Sequence, residues 1–308
     1  MSTAPARGPV RALLSWFERH ARGITTANLV GQSILIVSGS LVRLTESGLG
    51  CTRAWFCEEG SLVPTDIEPG NLHPYIEFGN RCLAVLLAFV AGSLAIAVWR
   101  SRPDVRWLAL VPFGGVVVQA VLGAALVDHE LPPLLVGLHM FISVALVWAS
   151  AILALRWRAV AAIGKASLEK APLLSLLRWT SLALLVAVVV LGTLTTGSGP
   201  HSGDPDVNER LGLDPEAVAR THSASVWAFS LVIALIWWRL RRTQGDARSA
   251  GARRAVGLLG GAILLQGALG YTAYLTGRPV GWVVLHMAGI SLLVAAHASV
   301  YYRTRSAR

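Results

Sequence analysis

Gln119-Ala-Val-Leu-Gly123, followed by Leu138-His139-Met140, returns 147 residues later as Gln266-Gly-Ala-Leu-Gly270 and Leu285-His286-Met287. No gap is needed between the two copies. A weaker echo pairs Leu44-Thr45 with Leu194-Thr195. Membrane helices resemble one another by composition, but composition does not reproduce Gln-x3-Gly and Leu-His-Met at one fixed separation. The chain therefore reads as a tandem repeat, and that reading sets its architecture.

Outward from the repeat, the 308 residues are 54% hydrophobic and only 14% charged, where a soluble domain carries about 25% charged residues. The mean hydropathy is +0.57. Eight apolar runs are long enough to span a bilayer, which takes roughly 20 apolar residues each. They are expected at 24–44, 76–98, 106–127, 134–156, 175–196, 217–238, 254–275 and 280–301. Pro112, Gly114 and Gly115 fall inside the third, as membrane helices tolerate.

The expected fold is an all-α integral membrane protein of eight transmembrane helices, built as two tandem four-helix bundles. Helices three and four match seven and eight. Four crossings are an even number, so both halves run in the same sense, related by a pseudo-two-fold along the membrane normal. The expected division is a tail at 1–23, an N-terminal half at 24–156, a linker at 157–174, a C-terminal half at 175–301 and a tail at 302–308.

The net charge of +10 suggests a nucleic-acid partner only until it is mapped. The N-terminus, the loops after helices two, four and six, and the C-terminus hold 21 of the 27 Lys and Arg residues. The other side holds Arg43, Arg53, Arg81, Arg210, Arg220 and Arg278, together with 13 of the 17 acids. This positive-inside bias places both termini in the cytoplasm. Topology accounts for the basic charge, and no nucleic-acid partner is expected. The first 23 residues lack an apolar core with a small-residue cleavage site, so no cleavable signal peptide is expected there. They read as a solvated cytoplasmic tail, with a short surface helix in part of the stretch as the alternative.

Cys51 and Cys57 lie in the first outer loop with five residues between them. An oxidising exterior favours a disulfide, and no second Cys or His pair offers zinc-ligand spacing. Cys82, inside helix two, reads as a small buried apolar residue.

Ionisable groups inside a bilayer are costly and usually functional. His139, His222 and His286 sit five or six residues into helices four, six and eight, roughly 8–9 Å below the outer helix ends. A shared depth suits ligands of a metal cofactor, and a bundle core can hold a porphyrin between facing imidazoles. His222 and His286 are the expected axial pair of a six-coordinate haem. The matching position in the N-terminal half holds Asn80, so the halves differ chemically and one iron face beside His139 is left without a histidine. Glu77 lies one turn nearer the surface. It suits a general base or proton relay, or equally a helix-start residue favoured by the helix dipole. Arg43 and Arg81 suit haem propionates, headgroups, or pairing with Glu46 and Glu77. His73 and His129 lie in outer segments, with His73 about 10 Å above Asn80 by helical rise. His201 lies in an outer loop, His20 in the tail, and His297 reads as a packed or hydrogen-bonded core residue.

At these residues the sequence resembles the haem A synthase family. The resemblance rests on Gly39-Ser-Leu-Val-Arg43-Leu-Thr-Glu-Ser-Gly-Leu-Gly-Cys51 with Trp55 and Cys57, and on Glu77-Phe-Gly-Asn-Arg81. Thr195-Thr-Gly-Ser-Gly-Pro-His201-Ser-Gly-Asp204-Pro and the three membrane histidines complete it. It implies an enzyme of the cell membrane that oxidises the C8 methyl of haem O to a formyl group, by successive hydroxylations and loss of water, and supplies haem A to terminal oxidases. It implies a haem b cofactor between His222 and His286, substrate haem O on His139, an essential carboxylate at Glu77, and a disulfide between Cys51 and Cys57. It also implies haem O and haem A as partners, with the farnesyltransferase that makes haem O and an electron donor or acceptor. Many family members carry His where this chain has Asn80. Two rivals share features with this reading. A di-haem b-type cytochrome that only passes electrons predicts His at position 80. A transporter predicts broken helices around a midplane site.

Overall fold

In the computed structural model, the described residues are 8–65, 70–159, 172–242 and 247–305. They form eight helices: α1 (Pro9–Leu44), α2 (His73–Ser101), α3 (Arg106–Asp128), α4 (Pro133–Ala159), α5 (Pro172–Gly197), α6 (Pro215–Arg241), α7 (Ala247–Leu275) and α8 (Val280–Arg303). All eight are long and apolar enough to cross a membrane. The all-helical, eight-span expectation holds.

The sequence sets the helix starts. Pro9, Pro133, Pro172 and Pro215 stand first in their helices and Pro74 second, positions where a missing N–H costs nothing and the fixed φ is already helical. Asp214 caps α6, its side chain accepting from the Glu216 and Ala217 amides at 2.8 and 3.0 Å. Those two N–H groups, Ala217 first, hold its carboxyl below the ordinary carboxylate range. At the other end of the bundle the Arg102 guanidinium does the same for Asp104.

Two helices begin earlier than hydropathy indicates. The stretch 9–23, expected as tail, is helical and continuous with α1. At 36 residues α1 is about 54 Å long by helical rise, well beyond the roughly 30 Å of a bilayer core. Likewise α7 starts at Ala247 rather than near 254. Hydropathy marks the apolar slab, and good helix formers such as Ala and Arg carry the helix past it. The linker expected at 157–174 is helical at its edges, and its middle, 160–171, lies outside the described residues.

Helix α1 packs on α2, α4 and α8; α4 packs on α3, α5 and α8; and α5 to α8 pack in succession. Buried Val144 and Val147 of α4 join Leu185, Phe229, Ile236, Leu259 and Val294 of the last four helices in one apolar core. Small residues let backbones approach, as membrane packing favours: a Cβ on Gly31 would meet Leu87 at 2.8 Å, and Gly115 packs as closely under Leu146. The outward faces are apolar too, with Phe89 at 72% and Leu264 at 75% exposure. Cys82 is exposed on such a face rather than buried. In a lipid-facing helix an apolar residue has no need of the interior.

Candidate functional site

His139, His222, His286 and Asn80 each lie six or seven residues past the start of their helix. All four starts are at the same end of the bundle, the end that carries the α1–α2 loop and its Cys51–Cys57 disulfide. Each of the four also sits against a glycine of the preceding helix. Built on that glycine, a Cβ would meet His139 Cε1 at 3.8 Å from Gly123, His222 Cε1 at 3.2 Å from Gly192, and His286 Cε1 at 3.0 Å from Gly270. From Gly39 it would meet Asn80 Oδ1 at 4.0 Å. The glycines leave room for ring or amide at the helix–helix seam. Gly123 and Gly270 were visible in the repeat and Gly39 opens the α1 motif; Gly192 carried no separate sequence signal.

Local contacts recur at the repeat spacing. Gln119 Nε2 donates to the His139 carbonyl at 2.9 Å, and Gln266 Nε2 to the His286 carbonyl at 3.0 Å. Leu131 N–H closes on Leu126 O at 2.8 Å, and Arg278 N–H on Ala273 O at 2.6 Å. The two glutamine bonds fix each histidine-bearing helix onto its partner, and the other two close matching turns at the ends of α3 and α7.

The eight histidines separate by what holds their rings. His20 bonds the Trp16 carbonyl, His73 the Ser47 hydroxyl, His129 the Ala125 carbonyl and His201 the Arg278 carbonyl. His297 is fully buried. It accepts from Trp148 Nε1 at 3.2 Å through Nδ1, so its Nε2–H faces Ser181 Oγ at 3.2 Å, and that hydroxyl donates to the Arg178 carbonyl. Both its nitrogens are used, as expected of a hydrogen-bonded core residue. His139 and His286 alone have a buried Nδ1 with no partner among the described residues. An unsatisfied buried polar atom costs about 1–3 kcal/mol, so the fold holds these two rings for something else. His222 donates Nδ1–H to the Val188 carbonyl at 3.1 Å, which leaves Nε2 as the unprotonated nitrogen. The His222 and His286 rings are close enough for their charges to interact.

Around position 80 the chemistry changes. Asn80 Oδ1 accepts the Ser38 hydroxyl at 2.7 Å. Glu77, one turn earlier, is 5% exposed. Its Oε2 accepts the Cys51 amide at 2.7 Å; its Oε1 accepts Arg81 Nη2 at 2.5 Å and Nε at 3.1 Å. Arg81 Nη1 reaches the carbonyls of Arg53, Ala54 and Phe56 at 3.0–3.3 Å. Glu77 and Arg81 thus clamp the disulfide loop over the end of α2. Arg43 has no carboxylate partner among the described residues. It donates Nη2 to the carbonyls of Thr196 and His201 at 3.3 and 2.9 Å, and its buried Nε is unpaired. The Arg210 charge is near it. The unpaired Arg43 Nε, with no counterion among the described residues, makes this spot receptive to an acid group.

The sequence profile of the cytochrome oxidase assembly protein family matches residues 22–298. The chain belongs to that family. The chain is also similar to proteins named heme A synthase. That of Symbiobacterium thermophilum is 29% identical over 272 residues, covering 82% of this chain and 86% of that protein. That of Lysinibacillus sphaericus is 29% identical over 234 residues, 71% and 75% of the two chains. That of Geobacillus thermodenitrificans is 32% identical over 129 residues, 41% and 40%. The resemblance drawn from the sequence motifs is borne out at the level of family.

The disulfide yields a direct test. Cys51 and Cys57 are both buried, and the Cys51 amide is a Glu77 partner. Cys51→Ser is expected to lower unfolding stability by about 2 kcal/mol, from loop-closure entropy over so short a loop. Thermal unfolding of the detergent-solubilised protein under oxidising conditions measures it; in reductant the difference from the parent should vanish.

Proposed function

We propose that this protein is a haem A synthase of the cell membrane, with both termini cytoplasmic and its sites near the outer face. It oxidises the C8 methyl of haem O to a formyl group by successive hydroxylations and loss of water. The two halves, 24–156 and 175–301, are tandem bundles related by a pseudo-two-fold along the membrane normal. The C-terminal half holds haem b; the N-terminal half takes haem O. What carries the reading is the contrast in ring partners: His139 and His286 alone keep a buried unbonded nitrogen, at one depth, in a family whose relatives are named heme A synthase.

The residues fit haem. His222 and His286 lie near each other at one end of the bundle, with His222 held in the tautomer that offers Nε2. Haem b supplies one-electron redox chemistry when bound there. In the other half His139 orients the substrate through its iron. Arg43, whose buried Nε is unpaired, binds a propionate. Arg81, all of whose guanidinium nitrogens already donate, keeps the loop in place. Glu77 takes or relays protons released as the methyl is oxidised. Asn80, held by Ser38, leaves the side opposite His139 without an imidazole. An electron donor or acceptor and the farnesyltransferase that makes haem O are the expected partners.

Pigment extraction after co-expression with a source of haem O tests the reading: haem A must accumulate, and haem O persisting without haem A would favour a cytochrome that only passes electrons. Asn80→His is expected to shift the substrate-haem EPR signal to the low-spin bis-imidazole type. His139→Ala should reduce substrate-haem content on the order of tenfold or more. Unchanged ligation in both variants would defeat the assignment of that half.

A further inference from the structure

The end of the bundle opposite the disulfide holds a second concave site, between α6 and α7. Trp237 and Arg241 line it from α6, and Arg253, Arg254, Gly257 and Leu258 from α7. Among the described residues, the charged groups that line it are all arginines. The Arg241 guanidinium lies 5.0 Å over the Trp237 ring. Arg253 donates Nη1 to the Leu240 carbonyl at 3.4 Å and to Ser249 Oγ at 3.1 Å, which fixes its head against α6. Arg241 and Arg254 are exposed and have no carboxylate partner among the described residues.

Helix α7 begins at Ala247, so Arg253 and Arg254 lie within about its first two turns. The N-terminal end of a helix is already positive, and cations placed there gain nothing from it. An anion between them would be met by guanidinium groups from both helices. Beside the arginines the surface becomes apolar: Leu258 is 65% exposed, and Gly257 presents no side chain. Tryptophan at this level is typical of the headgroup zone. A free phosphate would engage the arginines and leave the apolar strip bare. A phospholipid covers both.

We propose that this groove binds one anionic phospholipid, with its phosphate among Arg241, Arg253 and Arg254 and an acyl chain along Gly257 and Leu258. A zwitterionic lipid would bring its amine against three guanidinium groups, so the site selects net negative charge. The proposal is independent of the haem chemistry. Native mass spectrometry of the purified full-length protein tests it, with phosphatidylglycerol, phosphatidylcholine and inorganic phosphate as probes. One phosphatidylglycerol should be retained, at least tenfold better than phosphatidylcholine. The R241Q/R254Q double variant should bind it roughly tenfold more weakly. Leu258→Glu, which puts a carboxylate in the groove, should also weaken it. Arg220→Gln, at the opposite end of the bundle, should not. Equal retention of the two lipids, or unchanged binding in the double variant, would overturn the proposal. Displacement of the lipid by equimolar phosphate would assign the site to a free anion and overturn it equally.

Discussion

Glu77→Gln is expected to cut haem A formation by about 10²–10⁴-fold, the span typical of a lost proton-transfer group, while haem b stays bound. In the proposed assignment the two halves have separate ligands, so the His222–His286 pair would not depend on position 77. Glutamine keeps the shape and one acceptor, so it can still receive the Cys51 amide, but its NH2 would then face the Arg81 donors. Breaking a buried ion pair costs about 3–5 kcal/mol. Arg81 keeps a quarter of its exposure, so about 1–3 kcal/mol of lost stability is the better expectation. Arg81→Ala separates the two roles. It removes the clamp and leaves the carboxylate. If Glu77 handles protons, Arg81→Ala retains a substantial part of the activity that Glu77→Gln loses, measured as haem A formed per haem b. If Glu77 only positions the loop, the two variants fall together. Glu77→Gln with more than half the parent's haem A would remove Glu77 from the chemistry.

The sequence made the helix count legible because a bilayer imposes one requirement on every span: roughly 20 residues without charge. It left helix length illegible at α1 and α7, where helix formers mixed with charged residues carry the helix past the uninterrupted apolar run. The repeat carried more than helix identity. Gln119 and Gly123 were visible as letters, and in the fold they are the hydrogen bond and the clearance that seat His139. Contacts joining distant segments had no signal of that kind. Ser38 on Asn80 and Arg43 on the carbonyls of Thr196 and His201 are set by packing between helices far apart in the chain. Glu77 stood undecided between relay and helix-start residue. The fold gives it a third role, as the acceptor that ties the disulfide loop down.

His286→Ala is expected to remove haem b, lowering its retention a hundredfold or more, since a lost ligand exceeds the 10–100-fold typical of a supporting group. The glycine seats grade this effect. At Gly270 an added Cβ would stand 3.0 Å from Cε1 and 3.3 Å from Nδ1 of His286, so Gly270→Ala pushes the ring off its place. At Gly123 the corresponding approach to His139 is 3.8 Å, an ordinary contact. Gly270→Ala should therefore weaken haem b retention roughly tenfold, as a supporting-group change does, while Gly123→Ala leaves substrate-haem binding near the parent's. The asymmetry matches the chemistry proposed for each half. A resident cofactor is held best by rings with no slack, whereas a large substrate that enters and leaves needs a ligand that can give. Visible spectra and haem-to-protein ratios of the three variants, purified in parallel, measure the order. Equal loss at Gly123 and Gly270 would mean that both rings are seated alike, and the division into a cofactor half and a substrate half would lose its structural basis.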